Sequence, residues 1–515
     1  MVTVSKRSFL SAPLFAALGL DASPAETAGA PNYRLPIASG PFQATANSLK
    51  TYQAPQWYRD AKFGVWAHWG PQAVPRRGDW YARWMYVPGH PCYAHHLQHY
   101  GHPSEFGYKD IIPLWKAEHF DPNALMDLYV AAGAKYFVSM GVHHDNFDLW
   151  NSRHHRWNAT ALGPKRDIVG AWRDAARRRG LHFGVSEHLG ASHNWLYPSH
   201  LYDQFWPKIG VDYDGADPQF ADLYHARHDE PYKGNSATWY TSNPAYHQIW
   251  FDRIRDLVDS YQPDLLYSDG GIPFGEVGRA LVAHFYNSSA ARHGRVETVY
   301  NCKAGGAGEF YAEACVQDVE RGVMTGVNAI PWQTDTSNGD WFYADDYVYK
   351  TGPEIIRMLA DIVSKNGNLL LNVVLYPDGT LPPQSRALLS DLAQWIHVNA
   401  EAIHRTRPWR IFGEGPTETA GGAFHESAAY TAQDIRFTTL RDTLYAITLG
   451  EPRGQVTIRS LGRSSNLETR AVRSVHLLGV AAPLHFRQTD AALVIDVPPI
   501  LPTPHASAFK ISFAA

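Results

Sequence analysis

The sequence predicts an α/β protein, in which a (β/α)8-like TIM barrel is followed by a smaller C-terminal β-sandwich. Three observations lead to this prediction. Strand-like and helix-like segments alternate over residues 57–400, the pattern of a parallel sheet covered by helices. Residues 426–515 contain short alternating segments between turn residues, without a helical stripe. Polar and aromatic side chains cluster where the strands of the first part end, which is where barrel proteins carry their chemistry.

The composition is that of a folded protein rich in aromatic side chains. The chain has 515 residues, 45% hydrophobic and 19% charged, so a disordered chain is excluded and more than one domain is expected. The net charge of −4 and the lack of a Lys/Arg block give no sign of a nucleic-acid partner. No stretch after residue 30 is long and apolar enough to predict a membrane span. The 17 Trp, 28 Tyr and 26 His offer flat faces and ring nitrogens that suit sugars, although large cores use aromatic residues too.

Three cysteines are present, Cys92, Cys302 and Cys315. They form neither a CxxC pair nor a zinc-binding spacing. One disulfide could form and would leave an odd thiol, but ordinary buried thiols are the favoured interpretation.

The first thirty residues have the layout of an export signal. A basic start that includes Lys6 and Arg7 precedes an apolar run over residues 9–20, and small-residue cleavage sites follow. The Lys-Arg pair resembles a twin-arginine signal in which Lys replaces the first Arg. We therefore expect a signal peptide over residues 1–30, a lead-in over residues 31–56, and a periplasmic or secreted protein.

The elements of the barrel follow from local pattern. Short apolar runs predict strands, and apolar stripes at helical spacing predict the helices between them. The predicted strands cover residues 63–70, 135–142, 181–188, 265–267, 296–302 and 368–373. The predicted helices cover residues 123–133, 168–180, 248–261, 276–286 and 354–365. The irregular stretch 189–247 is too long for an incidental connection, so we expect it to be functional and to shape the leaving-group side of a pocket.

The pattern changes after about residue 400. Residues 401–425 are rich in Pro and Gly and are predicted to be a linker. Short strands of a β-sandwich are then predicted at residues 434–439, 444–449, 456–459, 471–478 and 493–497. Few ionisable clusters occur there, so we expect this domain to support the barrel, or to form one wall of a pocket mouth, without contributing a catalytic group.

Asp269 is the residue around which the candidate site is organised. The apolar run 265–267 stops at Ser268, and two glycines break the strand directly after Asp269. An Asp before Gly can also shape a turn. A catalytic pocket is favoured because other strand ends also carry ionisable or aromatic residues. These residues are His68, Asp79, Trp80, His143, His144, Glu187, His188, Tyr267, Lys303, Asp318, Glu320, Trp332, Asp335 and Trp341.

Two chemistries fit a pocket of histidines and carboxylates. One is metal-assisted hydrolysis, with His68, His143, His144 and Asp269 as ligands. The other is glycoside hydrolysis by two carboxylates, with histidines and tryptophans holding the sugar. Successive residues of a strand point in opposite directions, so His143 and His144 could share a metal only after a local bend. The density of Trp favours a sugar ring, and a carbohydrate-binding protein without catalysis is a third class.

Eight short motifs occur in order between about Gln56 and Tyr376. They are Trp57-Tyr-Arg-Asp-Ala-Lys-Phe-Gly64, His68-Trp-Gly70, Asp79-Trp-Tyr81, Lys135-Tyr-Phe137, His143-His-Asp145, Tyr267-Ser-Asp-Gly270, Trp332-Gln-Thr-Asp335 and Ser364-Lys-Asn-Gly-Asn-Leu-Leu-Leu-Asn372. In residue type and order these motifs resemble the α-L-fucosidases of glycoside hydrolase family 29. The resemblance implies a barrel with a C-terminal β-sandwich. It also implies exo-acting, retaining hydrolysis of terminal α-L-fucosyl units from oligosaccharides or glycans, without a metal or other cofactor.

The resemblance also implies roles for individual residues. Asp269 matches the aspartate nucleophile of the family. His68, Trp80, His143 and His144 match positions that bind the sugar.

Three residues depart from the family pattern. Asp79 stands where Glu is usual, so its carboxylate must reach farther to a sugar hydroxyl. Tyr267 stands where Trp is common, and Lys303 stands where an Arg often follows the fifth strand. Trp80, Tyr267 and Trp332 are expected to pack on the apolar face and the methyl group of the sugar.

The acid/base carboxylate falls in a region that varies across the family. The candidates are Glu297, Glu309, Glu313 and Glu320. Glu320 follows the loop after the fifth strand and best matches the family position, while Glu309 and Glu313 beside the Gly-rich loop 305–308 stay as alternatives. We expect Asp269 to attack the anomeric carbon and Glu320 to protonate the departing oxygen, with the two carboxyl groups ~5–5.5 Å apart.

Overall fold

A computed structural model describes residues 31–204, 207–426 and 428–514. The export signal that the sequence predicts over residues 1–30 lies outside the described residues. The barrel and the C-terminal sheets belong to one compact unit that begins at Arg34.

In the described part of the chain, eight parallel strands close into a barrel in chain order. They are β1 (Phe63–Ala67), β2 (Tyr136–Val142), β3 (His182–Glu187), β4 (Leu265–Ser268), β5 (Val299–Lys303), β6 (Val316–Asp318), β7 (Trp332–Ser337) and β8 (Gly367–Asn372). Because β1 pairs with both β2 and β8, the sheet has no free edge. The predicted barrel is confirmed.

Two barrel strands, β6 and β7, were not predicted from the sequence, for different reasons. Strand β6 has only three residues, too few for a periodic signal. Strand β7 is fully buried, yet four of its six residues are Thr, Asp or Ser, so it has no apolar run. Most of its polar side chains form hydrogen bonds, although Asp335 Oδ1 has no hydrogen-bond partner in the part of the chain that the structure describes. The Thr334 hydroxyl, for example, donates to the Gly322 carbonyl at 2.7 Å.

Helices cover the barrel and carry local start signals. The α-helices are α1 (Ala46–Leu49), α2 (Gln56–Ala61), α3 (Tyr81–Trp84), α4 (Pro91–His99), α5 (Tyr108–Ile111), α6 (Pro122–Ala131), α7 (Ile168–Arg178), α8 (Ser192–Trp195), α9 (Ala221–Tyr224), α10 (Pro244–Tyr261), α11 (Glu276–His293), α12 (Gly352–Ser364) and α13 (Pro383–Asn399). Helix α6 begins at an Asp121 cap, and α12 begins with a Thr351–Glu354 capping box. No helix of the described residues has the length and apolar character needed to cross a bilayer.

The C-terminal region forms two antiparallel sheets. Its strands are β9 (Arg407–Glu414), β10 (Ile435–Leu440), β11 (Thr443–Thr448), β12 (Gln455–Ile458), β13 (Val472–Leu477), β14 (Phe486–Gln488), β15 (Leu493–Asp496) and β16 (Ser507–Phe513). The sheet orders are β13-β16-β11-β10-β9 and β12-β15-β14. Residues of both sheets, such as Phe437 and Leu493, share one hydrophobic core.

The predicted linker over residues 401–425 needs a correction, because β9 lies within it. Strand β9 pairs with β10 and forms an edge of the five-stranded sheet. Pro408 suggested a linker, but an edge strand tolerates proline because one side of its backbone needs no ladder partner.

Buried charges connect the barrel helices to the C-terminal sheets. The Arg436 guanidinium on β10 donates to Asp361 on α12 at 2.5 Å, and the Lys365 ammonium lies 2.8 Å from the same carboxylate. All three side chains are at most 3% exposed. The Trp395 indole on α13 also donates to the Ala506 carbonyl at 3.0 Å. Removing one partner of such a buried group costs about 3–5 kcal/mol.

The three cysteines are free and buried, in agreement with the favoured interpretation. The Sγ atoms of Cys302 and Cys315 lie 3.1 Å apart between β5 and the start of β6. Burial raises the pKa of the Cys302 thiol well above its ordinary value, which keeps it protonated.

Candidate active site

An open cavity of about 430 Å³ lies at the carboxyl ends of the barrel strands. Nine of the ten site residues predicted from the sequence line this cavity. They are His68, Asp79, Trp80, His143, His144, Tyr267, Asp269, Lys303 and Glu320. A cavity of this size accommodates a monosaccharide and part of a second group.

Trp332 is the tenth residue, and its predicted contact with the sugar is wrong. It begins β7 at the opposite end of the barrel, is 0% exposed, and its indole donates to the Lys365 carbonyl at 2.9 Å. The same strand runs toward the cavity and brings Asp335 to its wall. The indole that lines the cavity on this side belongs to Trp341.

The backbone around Asp269 is fixed from several sides. Its amide donates to the Glu187 carbonyl at 3.2 Å, and the Trp239 indole donates to the Asp269 carbonyl at 3.2 Å. Gly270 follows with φ +134°, a conformation that side chains rarely allow. A Cβ at Gly270 would lie 2.3 Å from the Tyr240 hydroxyl oxygen. Glycine is therefore required where the chain turns away from Asp269.

The Asp269 carboxylate is surrounded by nitrogen atoms. The Lys303 Nζ lies 2.5 Å from Oδ1, and the His144 Nε2 and His188 Nδ1 lie 3.2 Å and 3.4 Å from Oδ2. Burial alone would raise the pKa of this carboxyl, but Lys303 and then the two histidines outweigh burial and hold the pKa well below its ordinary value. Asp269 is therefore ionised at neutral pH, as a nucleophile must be.

Lys303 also contacts Glu320, with Nζ 2.6 Å from Oε2. Because both carboxyl groups contact the same Lys303 Nζ, the nearest oxygens of Asp269 and Glu320 lie no farther apart than the sum of these two contact distances. These contacts give only an upper limit on the separation, so the ~5–5.5 Å expected between the carboxyl groups of a retaining glycosidase stays a prediction. Burial lowers the pKa of Lys303, but the carboxylates of Asp269 and Glu320 raise it well above the ordinary value, so the ammonium stays charged.

The other glutamate candidates for the acid/base lie elsewhere. Glu309 pairs with Arg279 at 2.5 Å, and Glu313 is exposed; neither lines the cavity. Glu297 precedes β5 at the amino end of the barrel and pairs with Arg295. Among these four described glutamates, Glu320 is the one that shares the cavity with Asp269.

Hydrogen bonds fix the orientation of the cavity histidines. The Ala82 amide donates to Gln72 Oε1 at 3.2 Å, so the Gln72 Nε2 donates to His143 Nδ1 at 2.8 Å. His143 then carries its proton on Nε2, which faces Asp79 Oδ1 at 3.7 Å. Burial, reinforced by neighbouring histidines, lowers the pKa of His143 well below its ordinary value, so the ring is a neutral donor.

His68 and His188 complete the floor of the cavity. Burial lowers the pKa of both rings, to about 4 for His188. One nitrogen each of His68, His143 and His188 lies within 4.8 Å of the others, and His144, His188 and Asp269 form a second such group. Neutral imidazoles of this kind can ligate a metal ion or bind sugar hydroxyls. His143 and His144 belong to different groups, in agreement with the expectation that they do not share a metal.

Several cavity residues were not among the predicted site residues. His188 and Trp341 carried a signal, because both follow strands and belong to the strand-end cluster. Tyr232 and Trp239 come from the irregular stretch 189–247, which was expected to shape the pocket. Phe424 lies in the predicted linker and carried no signal at all.

Comparison with known proteins relates this arrangement to a described family. The family model of alpha-L-fucosidase matches residues 31–401. The tissue alpha-L-fucosidase of Mus musculus is 28% identical over 481 residues, which cover 91% of this chain and 93% of the relative. The plasma alpha-L-fucosidase of Homo sapiens is 32% identical over 389 residues, covering 72% of this chain and 73% of the relative. The structure of the Thermotoga maritima alpha-fucosidase in complex with fucose superimposes with a TM-score of 0.70 at 25% identity, covering 91% of this chain and all of the other. Every cavity residue discussed above falls within the range of the family model, except Phe424.

Proposed function

Because this chain belongs to the α-L-fucosidase family of glycoside hydrolases, we propose that it releases terminal α-L-fucosyl units from oligosaccharides or glycans with retention of configuration. In this proposal Asp269 is the nucleophile and Glu320 is the acid/base. The substrate is a fucosylated glycan, and the enzyme works in the periplasm or outside the cell, as the signal-like residues 1–30 suggest.

The observation that carries the proposal is the ammonium group of Lys303 between two carboxylates. It holds Asp269 ionised, and it contacts both Asp269 and Glu320, which supports their assignment as the paired carboxyl groups of a retaining mechanism. Asp79 and Asp335 also line the cavity, but the ion pairs found for Lys303 among the described residues are those with Asp269 and Glu320. The Asp335 carboxylate accepts the hydroxyl of Tyr267 at 2.9 Å.

In the first step, an oxygen of Asp269 forms a bond to the anomeric carbon of the fucosyl unit. The bond between that carbon and the leaving-group oxygen breaks, and Glu320, which must enter this step in its protonated form, gives its proton to the departing oxygen. In the second step, Glu320 takes a proton from water, the water oxygen attacks the anomeric carbon, and the Asp269 carboxylate leaves. Two inversions give net retention.

The histidines support this chemistry by recognising the sugar. His143, which is neutral and oriented by Gln72, presents an N–H to a ring hydroxyl, and His68 and His144 lie beside it. Sites built from buried donors reject sugars that lack the matching hydroxyl far more strongly than apolar contacts do. Trp80 and Tyr267 offer aromatic surface for the C–H face and the methyl group.

The experiment that tests the two roles is stereochemical. Asp269→Gly loses the covalent route, so added azide attacks an activated fucoside directly and yields the inverted β-fucosyl azide. Glu320→Ala still forms the covalent intermediate from substrates with good leaving groups, so azide yields the retained α-fucosyl azide. NMR of the products reads both outcomes. A Glu320→Ala variant with wild-type activity on poor leaving groups would contradict the assignment and move it to Glu309 or Glu313.

The histidine groups also fit a metal, so metal-assisted hydrolysis is the competing function. Dialysis against a strong chelator separates the two functions. The proposed mechanism retains full activity, whereas a metal-dependent hydrolase loses activity and recovers it with added Zn²⁺. Absence of turnover on every α-L-fucoside, with fucose still bound, would instead identify a carbohydrate-binding protein.

A further inference from the structure

Phe424 combines three properties that an incidental surface residue does not share. It lines the cavity, its side chain is 67% exposed, and its backbone has φ +61°. Residues other than glycine rarely adopt this left-handed conformation, and bulky aromatic residues adopt it least. An exposed aromatic ring held in an unfavourable backbone conformation indicates a functional position, because neither packing nor local preference explains it.

The segment around Phe424 is attached to the loop that carries Glu320. The Phe424 amide donates to the Glu320 carbonyl at 2.9 Å, and the Gly422 amide donates to the Val323 carbonyl at 2.8 Å. Val323 and Gly422 form an antiparallel bridge. The backbone of Phe424 is therefore fixed relative to the backbone of the residue that we assign as acid/base.

Ionic contacts hold the other end of this segment. The Glu426 carboxylate lies 2.7 Å from the Lys350 Nζ and 3.7 Å from the Arg321 guanidinium, and it accepts the Thr336 hydroxyl at 2.5 Å. The Glu426 side chain is 9% exposed. These contacts tie residues 422–426 to the barrel on both sides of the ring.

The cavity has a polar floor and an aromatic mouth. The histidines and Asp269 form the floor, and the exposed Phe424 lines the outer part of the cavity. The Tyr232 and Trp239 rings, whose centroids lie 4.8 Å apart, also line the cavity. The leaving group must lie next to Glu320, because Glu320 protonates its oxygen. Because the Phe424 amide is bonded to the Glu320 carbonyl and Phe424 lines the same cavity, we expect a leaving group in that position to reach the Phe424 ring.

We propose that Phe424 is the binding platform for the leaving group, and that it receives the C–H face of a neutral pyranose or an aromatic aglycone. This inference rests on the proposed function and adds a specificity-determining residue to it. The platform comes from outside the range of the family model, so it belongs to the C-terminal part of this chain rather than to the barrel. A ring face without charge selects neutral leaving groups over anionic ones.

The test compares two substrates that share the fucosyl unit. One is a fucosyl-pyranose disaccharide, and the other is α-L-fucosyl fluoride, whose leaving group has no ring. For Phe424→Gly, the ratio of kcat/KM on the disaccharide to kcat/KM on the fluoride falls about tenfold, the scale of one aromatic contact. Glycine suits the positive φ, so this variant removes the ring without adding backbone strain. Phe424→Trp keeps an aromatic ring and therefore keeps the substrate ratio of the wild type. The inhibition constant of free L-fucose stays within twofold of the wild-type value in both variants.

Val348→Ala serves as the matched control, because Val348 is an apolar residue 87% exposed and outside the cavity. Its substrate ratio equals that of the wild type. An unchanged ratio in Phe424→Gly would contradict the role of Phe424 as a platform, even if kcat/KM falls equally on both substrates. Wild-type protein that cleaves neither substrate contradicts the proposed function itself, so the two failures are distinguishable.

Discussion

Replacing Lys303 by Met tests how the site keeps its nucleophile ionised. The substitution keeps much of the side-chain length and removes the positive charge that lies 2.5 Å from Asp269. Asp269 then remains buried beside two histidines, without the strongest contribution that lowers its pKa. We expect the pKa of Asp269 to rise.

The size of the rise follows from the electrostatics of a close ion pair. Two unit charges 4 Å apart interact with roughly 4 kcal/mol at an effective dielectric constant of ~20. Each pKa unit corresponds to about 1.4 kcal/mol, so an interaction of this size corresponds to roughly three units. Measured shifts from one opposite charge are about 1–3 units, and we expect a value in that range.

The pH profile of kcat/KM on an aryl α-L-fucoside measures the change, because it reports groups of the free enzyme. Asp269 must be ionised to attack, so activity is lost as pH falls through its pKa. A raised pKa moves this acid limb to higher pH in Lys303→Met. Lys303→Arg is the matched control, since it keeps the charge and restores the residue type common in the family, and its limb stays close to that of the wild type.

An acid limb that stays in place in Lys303→Met would refute the reasoning, since another group would then keep Asp269 ionised. A limb that moves to lower pH would refute it as well. Circular dichroism and the Tm of each variant show whether a loss of activity reflects unfolding instead.

Three further predictions concern the floor of the cavity, the domain junction and the amino terminus. His143→Ala and His144→Ala each lower kcat/KM on α-L-fucosides by roughly one to three decades, because polar contacts worth a few kcal/mol are lost, while Tm changes little. Arg436→Met lowers the free energy of unfolding by about 3–5 kcal/mol in urea denaturation, because it removes one of the two cationic partners of the buried Asp361 carboxylate. Amino-terminal sequencing of native material finds a mature start between about residues 23 and 31.

Each of these predictions has a contrary outcome. If the histidine variants do not fold, the role of these residues is structural. If the variants are fully active, the sugar binds elsewhere. A stability loss below ~1 kcal/mol in Arg436→Met would mean that the junction charge is compensated by other groups. An intact Met1 would exclude cleavage of an export signal.

The sequence predicts the barrel and most of its site because barrel strands place chemistry at one end. Asp269, His68 and His143 follow strands that are apolar enough to recognise, so their common location follows from topology. The same argument fails at Trp332. A polar strand such as β7 has no apolar run that marks its boundaries in the sequence. The pattern therefore does not show whether a nearby tryptophan lies at the start or at the end of the strand.

The position of Phe424 at the cavity was not predicted, for a different reason. Its position at the cavity depends on a pairing between residues about one hundred apart, Glu320 with Phe424 and Val323 with Gly422. Local patterns contain no information about such pairings. The Pro and Gly content around this segment indicates a chain without regular structure and does not indicate where that chain lies.

The buried charges shared by α12 and β10 have a consequence for recombination between relatives. Asp361 contributes from the barrel side and Arg436 from the sheet side, so a chimaera that exchanges everything after residue 401 separates two groups that neutralise each other. The same exchange replaces the segment that stands beside Glu320. A functional hybrid must therefore inherit Asp361 and Arg436 from one parent, and its new C-terminal part would carry the leaving-group preference of the donor. Shuffling these regions would then transfer specificity, although every predicted catalytic residue stays in the barrel.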